Sequence, residues 1–178
     1  MSLQSVLPKG TKLITSAPLP GSTKKHILSP DSSSGENLPL SLSAPSASTS
    51  TPSPLTAPFV HLVFPAGEAP QASHLALTFQ GGFVGTSVNV WVGEEVDSER
   101  EGEVELGLEL GGRIYPEDKN RRQIFEIPFP PTVASTEDGV IPVKTSKPVP
   151  RIREIKLEFE KSSDHYGRIT LYSLELLA

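Results

Sequence analysis

At 178 residues the chain can enclose one hydrophobic core. Its lack of cysteine excludes a disulfide framework, a thiolate metal site and a cysteine nucleophile. The formal charge of −5 argues against direct nucleic-acid binding, which needs clustered Lys and Arg to neutralise phosphates.

One domain is expected over residues 1–178, with core segments at about residues 6–31 and 59–178. No apolar run approaches the roughly 20 residues that span a bilayer, and no basic stretch followed by an apolar signal core opens the chain. These features predict a soluble protein that is neither secreted nor bound to a membrane. From Leu40 to Pro58 the sequence LSLSAPSASTSTPSPLTAP has too little apolar surface to offset the entropy of ordering it, so residues 40–58 are expected to be a disordered loop.

The pattern then has period two, as half-buried strands require. FVHLVF places Val60, Leu62 and Phe64 on one face, and HLALTF does the same with Leu75, Leu77 and Phe79. FQGGFVG follows, where a tight turn is expected to need positive φ at Gly81 or Gly82. SVNVWV sets Val88, Val90 and Val92 opposite Trp91. An acidic loop is expected at residues 93–103, where like charges repel and keep the chain solvated. EVELGLEL predicts Val104, Leu106, Leu108 and Leu110 pointing inward.

YPEDKNRR, from Tyr115 to Arg122, reads as a polar turn with Pro116 setting φ and Asp118 or Asn120 closing it. A loop with three prolines is expected at residues 136–150. EIKLEFE returns to alternation with Ile155, Leu157 and Phe159 inward. The last stretch puts Ile169 and Leu171 on one face but Tyr172, Leu174 and Leu176 on the other, which calls for a bulge or for cover on both faces. Eighteen prolines and the lack of any helical stripe point to an all-β antiparallel sandwich of the jelly-roll kind, with a central final strand.

Chemistry is sparse. His26, His61, His74 and His165 stand at no metal-ligand spacing, no G-x-S-x-G elbow occurs, and FQGGFVG matches no phosphate-binding loop. No enzymatic activity, cofactor or metal is expected. SSDHYGR offers charge, hydrogen bonding and aromatic faces around Gly167. It reads equally as a binding loop at a sandwich end and as a structural closure, with Tyr166 plugging the end and Arg168 pairing internally with Asp164.

FVHLVFP, LALTFQGGFVG, RIYPEDKN, FEIP and REIKLEFEKSSDHYGRITLYSLELL stand here in a shared order, with KKHILSPD upstream. Together they resemble the small intracellular discoidin-like co-regulators associated with the orphan testicular receptor four. The resemblance implies a galactose-binding-like jelly roll and a non-enzymatic adaptor, nuclear with a share in the cytoplasm. A transcription factor or nuclear complex is the partner it implies. The chain departs from that pattern where the Ser/Thr/Pro segment replaces a stretch with a Cys-Trp pair, and in its longer loops. The interaction residues expected are Gly81, Gly82, Phe83, Tyr115, Glu117, Asp118, Asp164, His165, Tyr166 and Arg168. The alternative is an intracellular small-ligand or glycan-binding domain.

Overall fold

The computed structural model describes residues 2–28, 38–43, 57–95, 107–130, 133–136, 139–142 and 149–178. Among them lie eleven strands. In chain order these are β1 (Lys12–Thr15), β2 (Leu40–Ser43), β3 (Phe59–Val63), β4 (His74–Phe79), β5 (Gly85–Glu94), β6 (Glu109–Ile114), β7 (Arg122–Glu126), β8 (Val133–Thr136), β9 (Gly139–Pro142), β10 (Ile152–Ser162) and β11 (Arg168–Leu177). They form a five-stranded sheet, β1-β3-β10-β5-β6, a four-stranded sheet, β2-β11-β4-β7, and a β8-β9 ribbon. All pairings are antiparallel, and the all-β sandwich expected from the sequence is present.

Alternation sets the core. Val60 and Leu62 of β3, Leu75, Leu77 and Phe79 of β4, Val88, Val90 and Val92 of β5, and Ile155, Leu157 and Phe159 of β10 are all buried in one cluster. Each such side chain contributes roughly 1.5–3 kcal/mol of burial free energy. Phe79 and Phe159 meet edge to face across the two sheets, with ring centroids 6.1 Å apart.

The phase change in the last strand is a bulge. The register of β11 against β4 slips between Leu171 and Ser173, so that Ile169, Leu171, Leu174 and Leu176 all reach the core. β11 lies inside its sheet, flanked by β4 and β2. Along the β2 side its backbone is met in turn by β2 itself, by the Ile27 carbonyl, which accepts from Leu174 N, and by Gln4 and Val6.

Three expectations are corrected. Residues 40–43 are not loop: β2 pairs with β11 and buries Leu40 and Leu42, because the short LSLS alternation outweighs the composition of the segment it opens. The rest of the segment, residues 44–56, lies outside the described residues. Leu110 is 47% exposed and faces outward, because the β5-β6 register passes from Val90↔Gly112 to Trp91↔Leu110 and so skips Gly111. That slip goes with a backbone crossing: a Cβ on Gly111 would stand 1.8 Å from the Pro128 carbonyl oxygen. Val104 and Leu106 lie outside the described residues. Residues 93–103 and 136–150 also carry structure at their margins, since β5 runs on to Glu94 and the β8-β9 ribbon occupies 133–136 and 139–142.

Candidate functional site

Three connections converge at one end of the sandwich. The β4-β5 turn closes when Phe83 N donates to the Gln80 carbonyl at 3.0 Å, with Gly82 at φ 82°. Positive φ is open to glycine at little cost, which answers the question FQGGF raises. The turn is tied to β11 on both sides, Gln80 N donating to Thr170 O and Thr170 N to Phe83 O, each at 2.9 Å.

The β10-β11 connection, residues 163–167, is stapled to the same turn. Ser163 N donates to the Val84 carbonyl at 2.9 Å, and Val84 N donates to Ser163 Oγ at 2.9 Å. Gly167 turns the chain at φ 76°, its N–H donating to Asp164 O at 3.0 Å. Asp164 Oδ2 accepts from both Arg168 N at 3.0 Å and Arg168 Nε at 3.1 Å. These bonds from Arg168 hold the Asp164 carboxyl below the usual carboxylate range, with burial opposing them.

Arg168 therefore pairs internally with Asp164, and its guanidinium also lies 4.7 Å from the centroid of the Phe83 ring and 5.9 Å from that of Tyr166. His165 meets Tyr166 edge-on at 5.4 Å. Tyr166 is 70% exposed, so it does not plug the sandwich; the Phe79–Phe159 pair already fills the interior beneath this end.

The β6-β7 connection joins through Asp118, whose Oδ1 accepts from Gly82 N at 2.7 Å. A Cβ on Gly81 would sit 3.5 Å from Asn120, so the two turns are in near contact. The carboxylate of Glu117 takes Lys119 Nζ and, at 3.1 Å, Arg121 Nη2. The hydrogen bond and charge of Lys119, then the charge of Arg121, draw its pKa down. Gln123 grips the backbone of Glu117 from beneath: its Oε1 accepts from Glu117 N and its Nε2 donates to Glu117 O, both at 2.8 Å. Tyr115 is 65% exposed and stands to one side, lining a cleft with Glu117, Arg121 and β7.

The residues singled out in sequence thus fall into a connected group, Gly81, Gly82, Phe83, Asp118, Asp164, His165, Tyr166 and Arg168, with Glu117 and Tyr115 on its flank. Ser163 and Gln123 escaped sequence reasoning, though each holds a loop in place. Gln123 carried a legible signal, being a polar residue in phase with the inward Phe125 of RQIFE. Among the described residues no group of three or more His, Asp or Glu is placed to hold a metal ion, and no helix is long and apolar enough to cross a membrane.

The two antiparallel sheets form a β-sandwich of the discoidin-like, galactose-binding-like fold. Solved structures of that class superpose on the chain. The family 32 CBM from C. perfringens NanJ in complex with galactose matches with TM-score 0.55 and 11% identity, covering 94% of this chain and 93% of its own. CBM32-1 from a family 31 glycoside hydrolase from Clostridium perfringens matches with TM-score 0.54 and 10% identity, covering 97% of each chain. At such identities the likeness carries the fold alone. In sequence, the chain is 33% identical over 107 residues to the Nuclear receptor 2C2-associated protein of Danio rerio, covering 60% of this chain and 56% of that protein. The chain thus spans little more than half the length of this curated relative, and the likeness read from its motifs is borne out. No family model matches the chain.

Proposed function

We propose that the chain is a non-enzymatic protein-interaction module, a nuclear adaptor or transcriptional co-regulator that is also present in the cytoplasm, and that it grips its partner with the loop end of the sandwich. One observation carries this reading: each carboxylate of the loop end is engaged by a neighbouring group, while the Tyr166 and Tyr115 rings stay exposed. Asp164 is engaged by Arg168, Asp118 by the Gly82 amide, and Glu117 by Lys119 and Arg121. A site for sugar hydroxyls needs a few convergent polar groups free to bond the ligand. Exposed rings backed by a fixed guanidinium are instead the anchors of protein interfaces, where Tyr and Arg carry much of the binding energy. The name of the Danio rerio relative supports a nuclear receptor as the partner class. Repression of that receptor's activity is the regulatory consequence proposed.

Purified full chain, with and without the paired Tyr166→Ala and Arg168→Ala substitutions, tests this against immobilised nuclear receptor 2C2 and, separately, against galactose. Thermal unfolding first establishes that both proteins are folded. Capture of the receptor by the wild type, at least about tenfold weakened in the variant, supports the reading. Equal capture by both, or saturable galactose binding without receptor capture, overturns it in favour of a structural loop or a glycan module.

A further inference from the structure

Beneath the loop end one buried amide is directed at a single residue above it. Gln123 of β7 is 8% exposed; its Oε1 accepts from Glu117 N and its Nε2 donates to Glu117 O, both at 2.8 Å. A peptide N–H can only donate and a carbonyl can only accept, so these partners fix the orientation of the amide. Glu117 O also accepts from Lys119 N at 2.8 Å, which closes a three-residue turn with Asp118 at its centre. Gln123 therefore sets the direction in which Asp118 leaves the chain.

From that turn Asp118 Oδ1 reaches across to Gly82 N at 2.7 Å, in an exposed position. An exposed hydrogen bond gains little over one made to water, so this tie persists only where both of its groups are already held in place. Gly82 is held by the Phe83–Gln80 bond and by the two bonds of its turn to Thr170. On the other side, the pairs of Glu117 with Lys119 and Arg121 are exposed and lie within the connection itself, so they do not anchor it to the sheet. Gln123 supplies that anchor. It stands opposite Leu77 of β4, the strand that runs through Phe79 into the Gly81–Phe83 turn. A closed circuit results, from β4 through Gly82, Asp118, Glu117 and Gln123 back to β4.

From this circuit we infer that Gln123 is the positioning residue of the loop end. It couples the Tyr115–Arg121 connection to the Gly81–Phe83 turn, and through Phe83 to Arg168, whose guanidinium lies over that ring. Loss of either amide bond frees Asp118, releases Gly82 N and weakens the grip on the partner, although Gln123 lies below the surface that the partner meets. The inference deepens the protein-interaction reading and rests on it for the partner; the coupling itself rests on geometry within the chain.

Gln123→Glu tests this, because glutamate has the shape of glutamine. Ionised, its carboxylate still accepts from Glu117 N but meets Glu117 O acceptor to acceptor; protonated, it donates again. The amide resonance of Gly82 in the isotopically labelled full chain, followed from mildly acidic to alkaline pH, reports the tie. Tyr115, Glu117, Arg121 and Arg122 share a cleft with Gln123, and the wild-type profile removes their own titration. In Gln123→Glu the Gly82 resonance should move at high pH toward its position in Asp118→Ala and return to the wild-type position as pH falls. Asp118→Asn, which keeps an acceptor oxygen, should retain the tie. Capture of nuclear receptor 2C2 at high pH should be about tenfold weaker or more in Gln123→Glu than in wild type, and the deficit should close at low pH. Gln123→Met removes both bonds at similar volume; it replaces the glutamate variant if thermal unfolding shows that one unfolded, and should displace the resonance at every pH. A Gly82 resonance that follows wild type throughout, or one that moves without weaker capture, overturns the inference. Absence of capture by wild type overturns the protein-interaction reading instead, and the Gly82 resonance then still decides the coupling.

Discussion

In a Gly85→Ala variant the added Cβ falls 2.5 Å from Cδ1 and 3.2 Å from Cε1 of Phe159, the nearer contact about 1 Å inside ordinary van der Waals range. The Phe159 ring is buried and packed edge-on against Phe79, and a close-packed interior offers it little room to withdraw. Overpacking of this kind costs about 1–3 kcal/mol. For a chain of this size, ~2 kcal/mol lowers Tm by roughly 4–8 °C. Phe79 ends the strand that enters the Gly81–Phe83 turn, Phe159 lies in the strand that enters the Asp164–Arg168 loop, and Gly85 opens β5, so the strain is applied where both loops are founded. Thermal unfolding of Gly85→Ala, Phe159→Leu and the double variant measures it. The smaller leucine makes room for the alanine, so the double variant should be more stable than the sum of the single losses by about 1 kcal/mol or more. A Gly85→Ala protein within ~1 °C of wild type, or a strictly additive cycle, refutes the packing argument.

Leu42→Ala should cost about 2–5 kcal/mol in chemical denaturation, because Leu42 is buried in β2; a change within about 0.5 kcal/mol would return residues 40–43 to loop. Gly82→Ala should lose about 1 kcal/mol through its φ of 82° alone, since nothing stands within 4 Å of the new Cβ; an unchanged denaturation midpoint would mean that the turn adapts. Acid should weaken the fold through Glu160, whose pKa is drawn down first by the Asn89 hydrogen bond and further by Ser87 and Arg113. A depressed native pKa adds stability above the unfolded value, near 4.5, and loses it as pH falls through the native one. Wild type should therefore lose stability more steeply below that value than Glu160→Gln does, and parallel curves would contradict the assignment.

The core was legible in the sequence because period two carries burial directly: every inward residue assigned to β3, β4, β5 and β10 is buried. The final strand was legible as an anomaly, and its bulge resolves it. Leu110 was misread because a register slip leaves no mark on alternation, and the Gly111-Gly112 pair signals it only once Pro128 is seen crossing there. β2 was missed because composition was averaged over residues 40–58, whereas a four-residue strand is decided locally. In the site, residue types such as Asp, Tyr, Arg and Gly marked the loops, but their joining through Gly82–Asp118 and Ser163–Val84 is tertiary and has no sequence signature. Exposure of Tyr166 likewise follows from topology rather than from pattern.

Amide shift mapping of the isotopically labelled full chain during titration with purified nuclear receptor 2C2 tests the loop-end account most directly. The account predicts perturbations centred on Gly81–Phe83, Asp118 and Asp164–Arg168, and their loss in the Tyr166→Ala, Arg168→Ala variant. Perturbations confined to the outer sheet faces, or a spectrum unmoved by saturating receptor, would contradict it.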